Sequence, residues 1–473
     1  MNILLVRPPD PLQHVSLLSH TKPMNLAYLG GYVRRQGIDV TIVDYEMEPF
    51  TIESFHQLLS TKSPSLIGVS CLTPTIKSGA RLCELAKAHR PEIVTVVGGP
   101  HASALPVWTL EEFPSFDCLV QGEGEVTLGE LCRRVSEGDA DRRIAGLVHR
   151  AGNEIIRNPE RGLVTDIDTL PFPARDLIGR GSSPGHSTRG FSNRIPSAEL
   201  FTSRGCPFAC AFCAIQATFG TTVRFRAPSF IEEEVHMMVR DHHIDHLVIA
   251  DDTFTLQQDR AFAICDILGR SGIASWNCDT RATSVSKDLL RAMRESGCRK
   301  VAFGVESGSQ RILDAIGKKI TIDQVRQAVS WAHEAGIRHI EGNFIIGSDP
   351  SETEEDIALT RKLIRELPWT FISVSVIVPY PGTPVHRRMT ELGLIPPGTG
   401  WEEYVMFGVP PRWRTTHLSS SDLLRHQKRL TRQFYLEPAY MLRQLSAVRS
   451  WSDIRYWVSA GAAYLKWHYS GRL

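Results

Sequence analysis

The sequence lacks the features of a membrane-spanning or nucleic-acid-binding protein. No apolar run in its 473 residues reaches the roughly 18 residues that a bilayer-spanning helix needs. Lysine and arginine number 53 against 52 aspartates and glutamates, so no basic excess is present to attract nucleic acid. The N-terminus shows no signal-peptide pattern. We therefore expect a cytoplasmic protein for which nucleic acid is not a partner and membrane contact is not favoured.

The sequence also lacks a second pair of closely spaced cysteines. Three of its 10 cysteines form Cys206-x3-Cys210-x2-Cys213. A structural zinc site usually takes four ligands in two pairs, and disulfide frameworks belong to small secreted chains. Three thiolates on one loop favour a four-iron cluster with one iron open to a small chelating ligand, over zinc, a disulfide or three buried thiols. The other cysteines are expected to be reduced interior thiols: Cys71, Cys83, Cys118, Cys132, Cys265, Cys278 and Cys298.

This motif, with the aromatic Phe212 before its last cysteine, resembles the signature of radical S-adenosylmethionine enzymes. The resemblance implies that Cys206, Cys210 and Cys213 are catalytic residues that bind a [4Fe–4S] cluster. It also implies that the amino and carboxylate groups of S-adenosylmethionine chelate the open iron, and that one electron cleaves the sulfonium to a 5′-deoxyadenosyl radical. An external low-potential donor of the flavodoxin or ferredoxin type would supply that electron.

Residues 1–135 read as an α/β domain with a doubly wound, Rossmann- or flavodoxin-like sheet. Short apolar runs between helix-length segments predict parallel strands at residues 3–6, 40–43, 66–70, 93–97 and 118–120. Ligands of such sheets bind beyond the carboxyl ends of the strands. Glycines there let an extended ligand approach the backbone and hydroxyls can bond it, although glycines also simply end strands. The candidate binding residues in these loops are Ser70, Thr73, Thr75, Gly98, Gly99, His101, Gly122 and Glu123.

Two absences refine the ligand of this domain. No GxGxxG turn follows the first strand, so a dinucleotide site is not favoured. Tight loops at three strand ends, upstream of the cysteine motif, resemble the cobalamin-binding domain of cobalamin-dependent radical S-adenosylmethionine enzymes. The Asp-x-His-x-x-Gly motif, whose histidine lies below cobalt in many cobalamin domains, is missing. The resemblance therefore implies bound cobalamin without that histidine, and His101 as a contact of the loop or of the cobalamin tail at most.

Residues 136–195 read as a connecting segment. Prolines at positions 171 and 173 favour extended backbone, and residues 179–185 are rich in glycine and serine. This stretch is either a lid over the site or a plain interdomain linker.

Residues 196–390 again alternate strands with helices. Strands are predicted at residues 200–202, 247–250, 276–281, 300–308, 340–347 and 372–379. Six strands match the partial, TIM-like (β/α)6 barrel of the radical S-adenosylmethionine family. Barrel enzymes keep their chemistry at the carboxyl ends of the strands.

Several polar residues at these strand ends suit S-adenosylmethionine. Asp251 or Asp252 could accept hydrogen bonds from its amino group, and Arg281 could bind its carboxylate through a bidentate fork. Glu306 and Ser307 could bind the amino acid part or the ribose. Surface salt bridging is the alternative for Asp251 and Glu306. Phe212 and Gly347 complete the candidate cofactor-binding set, Gly347 by letting backbone approach adenine and ribose.

Residues 391–473 are rich in arginine and aromatic side chains, with helices expected on both sides of Pro438. The first interpretation is a helical cap that packs its aromatic face on the barrel and leaves a basic side in solvent. Entry of a hydrophobic or anionic substrate from this side is the alternative. Residues 434–442 resemble C-terminal segments of cobalamin-type relatives that include tetrapyrrole cyclases.

The cofactor set implies a methyltransferase that delivers a methyl group from methylcobalamin to an unactivated carbon of a small-molecule or lipid substrate. S-adenosylhomocysteine would then form alongside 5′-deoxyadenosine. A cyclase that uses cobalamin without methyl transfer is the second interpretation, and it would give no S-adenosylhomocysteine. A noncatalytic cobalamin-binding regulator is a third, which the intact cysteine motif disfavours.

Overall fold

The computed structural model describes residues 1–10, 22–178, 196–406 and 409–446. The predicted loop at residues 179–185 and all basic or aromatic positions after residue 446 lie outside these ranges. Within them, no helix combines the length and the apolar character needed to cross a bilayer.

The N-terminal half of the chain is built on a seven-stranded sheet with the order β2-β1-β3-β4-β5-β6-β7. The first five strands in sequence pair in parallel, which confirms the predicted sheet, and β6 and β7 add to its edge in antiparallel fashion. Since β6 and β7 lie beyond residue 135, the sheet continues into the segment interpreted as a connection. The strands are β1 (Asn2–Arg7), β2 (Asp39–Asp44), β3 (Leu66–Ser70), β4 (Val94–Gly98), β5 (Cys118–Val120), β6 (Leu147–Ala151) and β7 (Glu154–Arg157).

Helices cover both faces of this sheet. Side chains alternate between the faces of a strand, so Leu4 and Val6 of β1 enter one core while Ile3 and Leu5 enter the other. This two-sided burial explains why the strands are continuously apolar. The helices are α1 (Met24–Arg35), α2 (Ile52–Lys62), α3 (Ile76–His89), α4 (Pro100–Ala104), α5 (Pro106–Glu112) and α6 (Glu125–Ser136).

The second half is built on six parallel strands in the order β15-β14-β13-β12-β11-β8, as the partial barrel requires. A short antiparallel pair, β9 (Ser203–Arg204) and β10 (Arg224–Phe225), stands apart from it. The barrel strands are β8 (Ser197–Leu200), β11 (His246–Ile249), β12 (Ser275–Thr280), β13 (Cys298–Glu306), β14 (His339–Ile346) and β15 (Phe371–Val376).

The first barrel strand ends earlier than predicted, at Leu200 instead of residue 202. The backbone N–H groups of Thr202 and Ser203 donate to the carboxylate of Asp251, at 2.6 and 3.1 Å. A side chain 49 residues away along the chain thus takes the place of a neighbouring strand.

Helices follow the barrel strands and enclose one large apolar core. A capping box of Thr321 and Gln324 begins α12, and comparable pairing of Ser419 with Asp422 begins α15. The helices are α7 (Gln216–Phe219), α8 (Pro228–His242), α9 (Gln258–Arg270), α10 (Lys287–Glu295), α11 (Gln310–Ala315), α12 (Ile322–Glu334), α13 (Glu354–Glu366), α14 (Pro384–Glu391), α15 (Ser420–Tyr435) and α16 (Pro438–Ser446).

The last two helices cover the edge strand β15, as the cap interpretation predicts. The hydroxyl of Tyr435 donates to the Ile372 carbonyl at 2.8 Å, and that of Tyr440 donates to the Thr370 carbonyl at 3.0 Å. The opposite face of α15 exposes Arg425, Arg429 and Arg432.

Candidate active site

A cavity of about 610 Å³ lies between the strand ends of the first sheet and the start of the barrel. One side of it is formed at β1, β3, β4 and β5 by residues that include Ser70, Gly98 and Gly122. The other side is formed by the segment 214–219, which follows the cysteine motif, and by Asp252 after β11. The volume is in the range of ligand sites, and both halves of the chain contribute to it.

The glycine loops form the floor of this cavity. Gly99 has φ of +98° and ψ of −177°, a conformation almost restricted to glycine. A Cβ there would lie 2.6 Å from the carbonyl oxygen of Cys71. At Gly98 and Gly122, which also line the cavity, a Cβ would meet no atom closer than 3.8 Å. The glycines therefore bring bare backbone to the ligand side.

Replacing Gly99 with alanine should destabilise the protein by at least about 2 kcal/mol, since backbone strain and overpacking each cost about 1–3 kcal/mol. The change should also distort the cavity floor, so that ligand retained through gel filtration falls. Gly152→Ala is the matched control, because Gly152 has φ of +63° and nothing within 4 Å of an added Cβ. Urea unfolding of both variants measures the difference. Equal destabilisation by the two would mean that the contact with Cys71 has no effect.

Two of the candidate hydroxyls lie on the cavity wall. Ser70 accepts a hydrogen bond from the Asn25 side-chain amide at 2.6 Å, and Thr75 Oγ1 accepts one from the Leu72 backbone N–H at 3.1 Å. Thr73 and His101 are buried but are not part of the wall; their side chains lie 3.3 Å apart. The His101 ring also packs edge-on against Trp401, at 5.0 Å between centroids, and burial lowers its pKa to about 4.

The cysteine motif lies on a loop between β9 and α7. Gly205 before it has φ of +90°, and a Cβ there would lie 2.5 Å from the Thr222 carbonyl oxygen. The loop is fixed by hydrogen bonds of the Ala211 backbone, which donates to the Ile316 carbonyl at 2.9 Å and accepts from Val385 N–H at 3.0 Å. Cys210 is buried, and Cys206 and Cys213 are half-buried.

In the part of the chain that the structure describes, no three metal-ligating side chains converge in a preformed ion site. Burial raises the pKa of the Cys206 thiol and raises that of Cys213 to about 11. Iron deprotonates the thiols that bind it, and metal ligands commonly come together only on binding. Three thiols on one short loop thus supply the donor atoms of an iron–sulfur cluster. A structural zinc site would need a fourth ligand, which this loop does not supply. The remaining cysteines are all buried and free, as predicted.

The two aspartates after β11 differ in what they do. Asp251 is buried and accepts hydrogen bonds from the backbone and side chains of Thr202 and Ser203, so it holds the chain that leads into the cysteine loop. Asp252 lines the cavity instead. Burial, together with the charges of Asp251 and Asp279, raises the pKa of Asp252 to about 6. Of the pair, Asp252 is the carboxylate placed to bind a cationic group in the cavity.

Two family models match the chain, the B12 binding domain over residues 15–132 and the radical SAM superfamily over residues 200–364. An uncharacterised methyltransferase of Pyrococcus horikoshii is 31% identical over 447 residues, which are 94% of this chain and 95% of that protein. The chain belongs to the cobalamin-dependent radical S-adenosylmethionine enzymes.

Two further similar proteins extend the comparison. The anaerobic magnesium-protoporphyrin IX monomethyl ester cyclase of Rubrivivax gelatinosus is 27% identical over 93% of this chain and 78% of its own length. The radical S-adenosylmethionine methyltransferase TsrM from Kitasatospora setae, solved with cobalamin and a [4Fe–4S] cluster, superposes with a TM-score of 0.72 at 19% identity, over 93% of this chain and 91% of TsrM. At that identity the TsrM likeness shows the shared fold.

As a radical S-adenosylmethionine enzyme with a B12 domain, the chain uses the cofactors predicted from its sequence: a [4Fe–4S] cluster, S-adenosylmethionine and cobalamin. Cys206, Cys210 and Cys213 would hold the cluster. The glycine floor and Ser70 would hold cobalamin, because the cavity there is open, apolar and lined by backbone.

The barrel residues predicted to bind S-adenosylmethionine already make contacts with other residues of this chain. Glu306 has a left-handed φ of +69° and accepts an ion pair from Lys318 at 2.6 Å. Ser307 is buried, and its Oγ accepts a hydrogen bond from Ser309 N–H at 3.2 Å.

Gly347 also has positive φ, and a Cβ there would lie 3.1 Å from Ile377. The ring of Phe212 packs against the barrel core, 6.0 Å from the Lys318 ammonium. Arg281 lies beside the cysteine loop.

Sequence reasoning missed a buried group of charges that joins the cobalamin domain to the barrel. Arg204 pairs with Glu123 at 3.1 Å and with Glu125 at 2.6 Å, and Arg224 pairs with Glu123 at 2.7 Å. Glu123 is thus placed as an interdomain anchor at the cavity wall rather than as a free ligand group. The only sequence signal was the position of Arg204, two residues before Cys206.

Proposed function

We propose that this enzyme is a cobalamin-dependent C-methyltransferase acting on a small-molecule or lipid substrate. The observation that carries the proposal is the shared cavity, whose wall takes Gly98, Gly99 and Gly122 from the cobalamin domain and Ala214, Ile215 and Asp252 from beside the cysteine loop. One space is therefore open to both cofactor sites.

When bound, the cluster with S-adenosylmethionine supplies a hydrogen-abstracting radical and methylcobalamin supplies a methyl group. The chain's own residues bring these functions together and keep water away. Asp252 offers a carboxylate to the cationic sulfonium cofactor or to its amino group. The side chains of Leu5, Val69, Val96 and Val120 line the cavity and exclude water from a reactive carbon radical.

Substrate and electron donor are part of the same proposal. The mostly apolar wall suits a substrate that presents carbon rather than charge at the point of reaction. Reduction requires an external one-electron donor of low potential, of the flavodoxin or ferredoxin type. The Pyrococcus horikoshii relative, a methyltransferase by name, covers nearly the whole chain and supports methyl transfer.

The cyclase interpretation is the second candidate, favoured by the similarity to the Rubrivivax gelatinosus cyclase over 93% of this chain. The two differ in what becomes of S-adenosylmethionine. Methyl transfer consumes one molecule for the radical and another for the methyl group. Cyclisation needs the radical alone.

The test is to purify the enzyme anaerobically with cluster and cobalamin, and to add S-adenosylmethionine, dithionite and pooled metabolite and lipid extracts. We expect 5′-deoxyadenosine and S-adenosylhomocysteine to rise together, and a trideuteromethyl label from S-adenosylmethionine to enter a product. Before substrate is added, S-adenosylhomocysteine should already form in proportion to bound cobalamin. Protein prepared without cobalamin is the control. If 5′-deoxyadenosine rises alone, the cyclase interpretation replaces methyl transfer. If neither product forms with a verified cluster, the proposal fails.

A further inference from the structure

Arg281 is a buried cation without a carboxylate partner. Its side chain follows β12 and is only 4% exposed. One guanidinium nitrogen donates to the Lys318 carbonyl and lies 3.5 Å from that of Lys319, while Nε has no hydrogen-bond partner. Among the residues the structure describes, no Asp or Glu lies within 4.0 Å of it as an ion-pair partner.

The groups beside Arg281 belong to the cysteine loop. Its guanidinium carbon lies 3.6 Å from the centroid of the Phe208 ring, so the cation stacks on the loop between Cys206 and Cys210. The groups that could balance its charge are, in decreasing order of effect, Cys210, which is also a hydrogen-bond partner, then Cys206 and Glu306. The carbonyl groups that hold Arg281 belong to the segment 316–319, which itself bonds the cysteine loop through Ile316.

The neighbouring cation Lys318 shows what Arg281 lacks. Lys318 is equally buried, but its ammonium is paired with Glu306 at 2.6 Å. A buried charge without such a partner is costly, and proteins generally pair it. Three cysteine thiolates bound to iron would provide negative charge beside Arg281. The uncompensated guanidinium is therefore placed as their counter-charge.

We propose that Arg281 is a positioning residue for the iron–sulfur cluster. Its guanidinium would balance the negative charge of the cluster through Cys210 and thereby raise the reduction potential of the cluster. Hydrogen bonds to ligand sulfur and local net charge are established determinants of that potential. One electron passes from an external low-potential donor to the cluster, the donor is oxidised by one electron, and the guanidinium keeps its proton throughout. The sequence had suggested a different role, binding of the S-adenosylmethionine carboxylate. The proposal rests on cluster binding by the radical S-adenosylmethionine domain and is independent of methyl transfer.

The test is a redox titration of the reconstituted cluster, followed by electron paramagnetic resonance, without S-adenosylmethionine or substrate. At the potential that half-reduces the wild-type cluster, the reduced-to-oxidised ratio in Arg281→Gln should fall about tenfold, equivalent to 59 mV for one electron. Arg281→Lys keeps the charge but not the planar fork, so a fall of about threefold is expected. Arg150→Gln is the matched control. Arg150 also donates to backbone carbonyls, those of Phe116 and Phe113, but it lies in the first sheet. The reduced-to-oxidised ratio of this variant should equal that of the wild type.

Three outcomes decide the matter. An unchanged potential in Arg281→Gln, with weaker binding of S-adenosylmethionine, would overturn the proposal in favour of the carboxylate role. A glutamine variant with native circular dichroism but little bound iron would support the positioning role. If Arg281→Gln does not fold, Arg281→Leu takes its place, because its neutral side chain needs no hydrogen-bond partner; a wild-type potential in that variant overturns the proposal. Since the titration needs neither cobalamin nor substrate, its result is separate from the test of methyl transfer.

Discussion

Cys210→Ala should abolish both iron binding and formation of 5′-deoxyadenosine. Removing a residue that hydrogen-bonds a metal ligand typically lowers metal affinity or activity by about 10–100-fold. Removing a ligand itself should lower them further. Cys210 is the buried member of the three and the hydrogen-bond partner of Arg281. Iron analysis, the cluster absorbance and product chromatography measure the effect.

Cys265→Ala is the control for this experiment. Cys265 is a buried thiol on α9 within the barrel core, away from the cysteine loop. The variant should lose some stability through the small cavity it creates but keep its iron and its product. Retention of the cluster in Cys210→Ala would contradict the ligand assignment, whereas loss of iron in Cys265→Ala would show that iron content reports folding alone.

The sheets could be predicted because their signal is local. Continuous apolar runs such as residues 66–70 mark strands covered on both faces, and the structure has a strand there. The antiparallel strands β6 and β7 were not predicted because their sequence is mixed, with burial confined to Leu147, Val148 and the polar His149. The early end of the first barrel strand escaped for another reason, since it depends on Asp251, which is distant in sequence.

The candidate site divides in the same way. The spacing of Cys206, Cys210 and Cys213 is a property of one loop, and it could be interpreted without the fold. Which partner a polar side chain takes depends on tertiary contacts. Glu123 pairs with Arg204, which lies 81 positions further along the chain, and Glu306 pairs with Lys318. The sequence therefore identified polar residues at strand ends, but not whether other side chains of the protein already pair with them.

Arg204→Met should destabilise the protein by about 3–5 kcal/mol, the range for removing one member of a buried ion pair. The Arg204, Glu123 and Glu125 side chains are each at most 8% exposed, so water would not replace the lost guanidinium. Glu123 keeps Arg224, but Glu125 would lose its cationic partner. Since these residues line the cavity, bound cobalamin should be lost as well. Urea unfolding and the absorbance of retained cobalamin measure the two effects, with the exposed pair Arg157 and Glu160 as control: Arg157→Met should cost about 0–1 kcal/mol.

The pH dependence distinguishes loss of charge pairing from loss of packing. In the wild type, burial alone would raise the pKa of Glu125, but Arg204 overcomes it and the net shift is downward. That stabilisation is present above the unfolded-state pKa of glutamate and is lost as pH falls through the lower folded-state pKa. Without Arg204, burial is opposed only by a backbone hydrogen bond and by the charge of Arg226, so the folded-state pKa of Glu125 rises. The deficit of Arg204→Met should therefore be largest at pH 7 and shrink toward pH 4.5, as Glu125 becomes neutral. The guanidinium carbon of Arg204 also lies 5.2 and 5.6 Å from the ring centroids of Tyr28 and Phe219. A deficit that does not change with pH would mean that Arg204 stabilises the domain junction by packing on these rings and not by its charge.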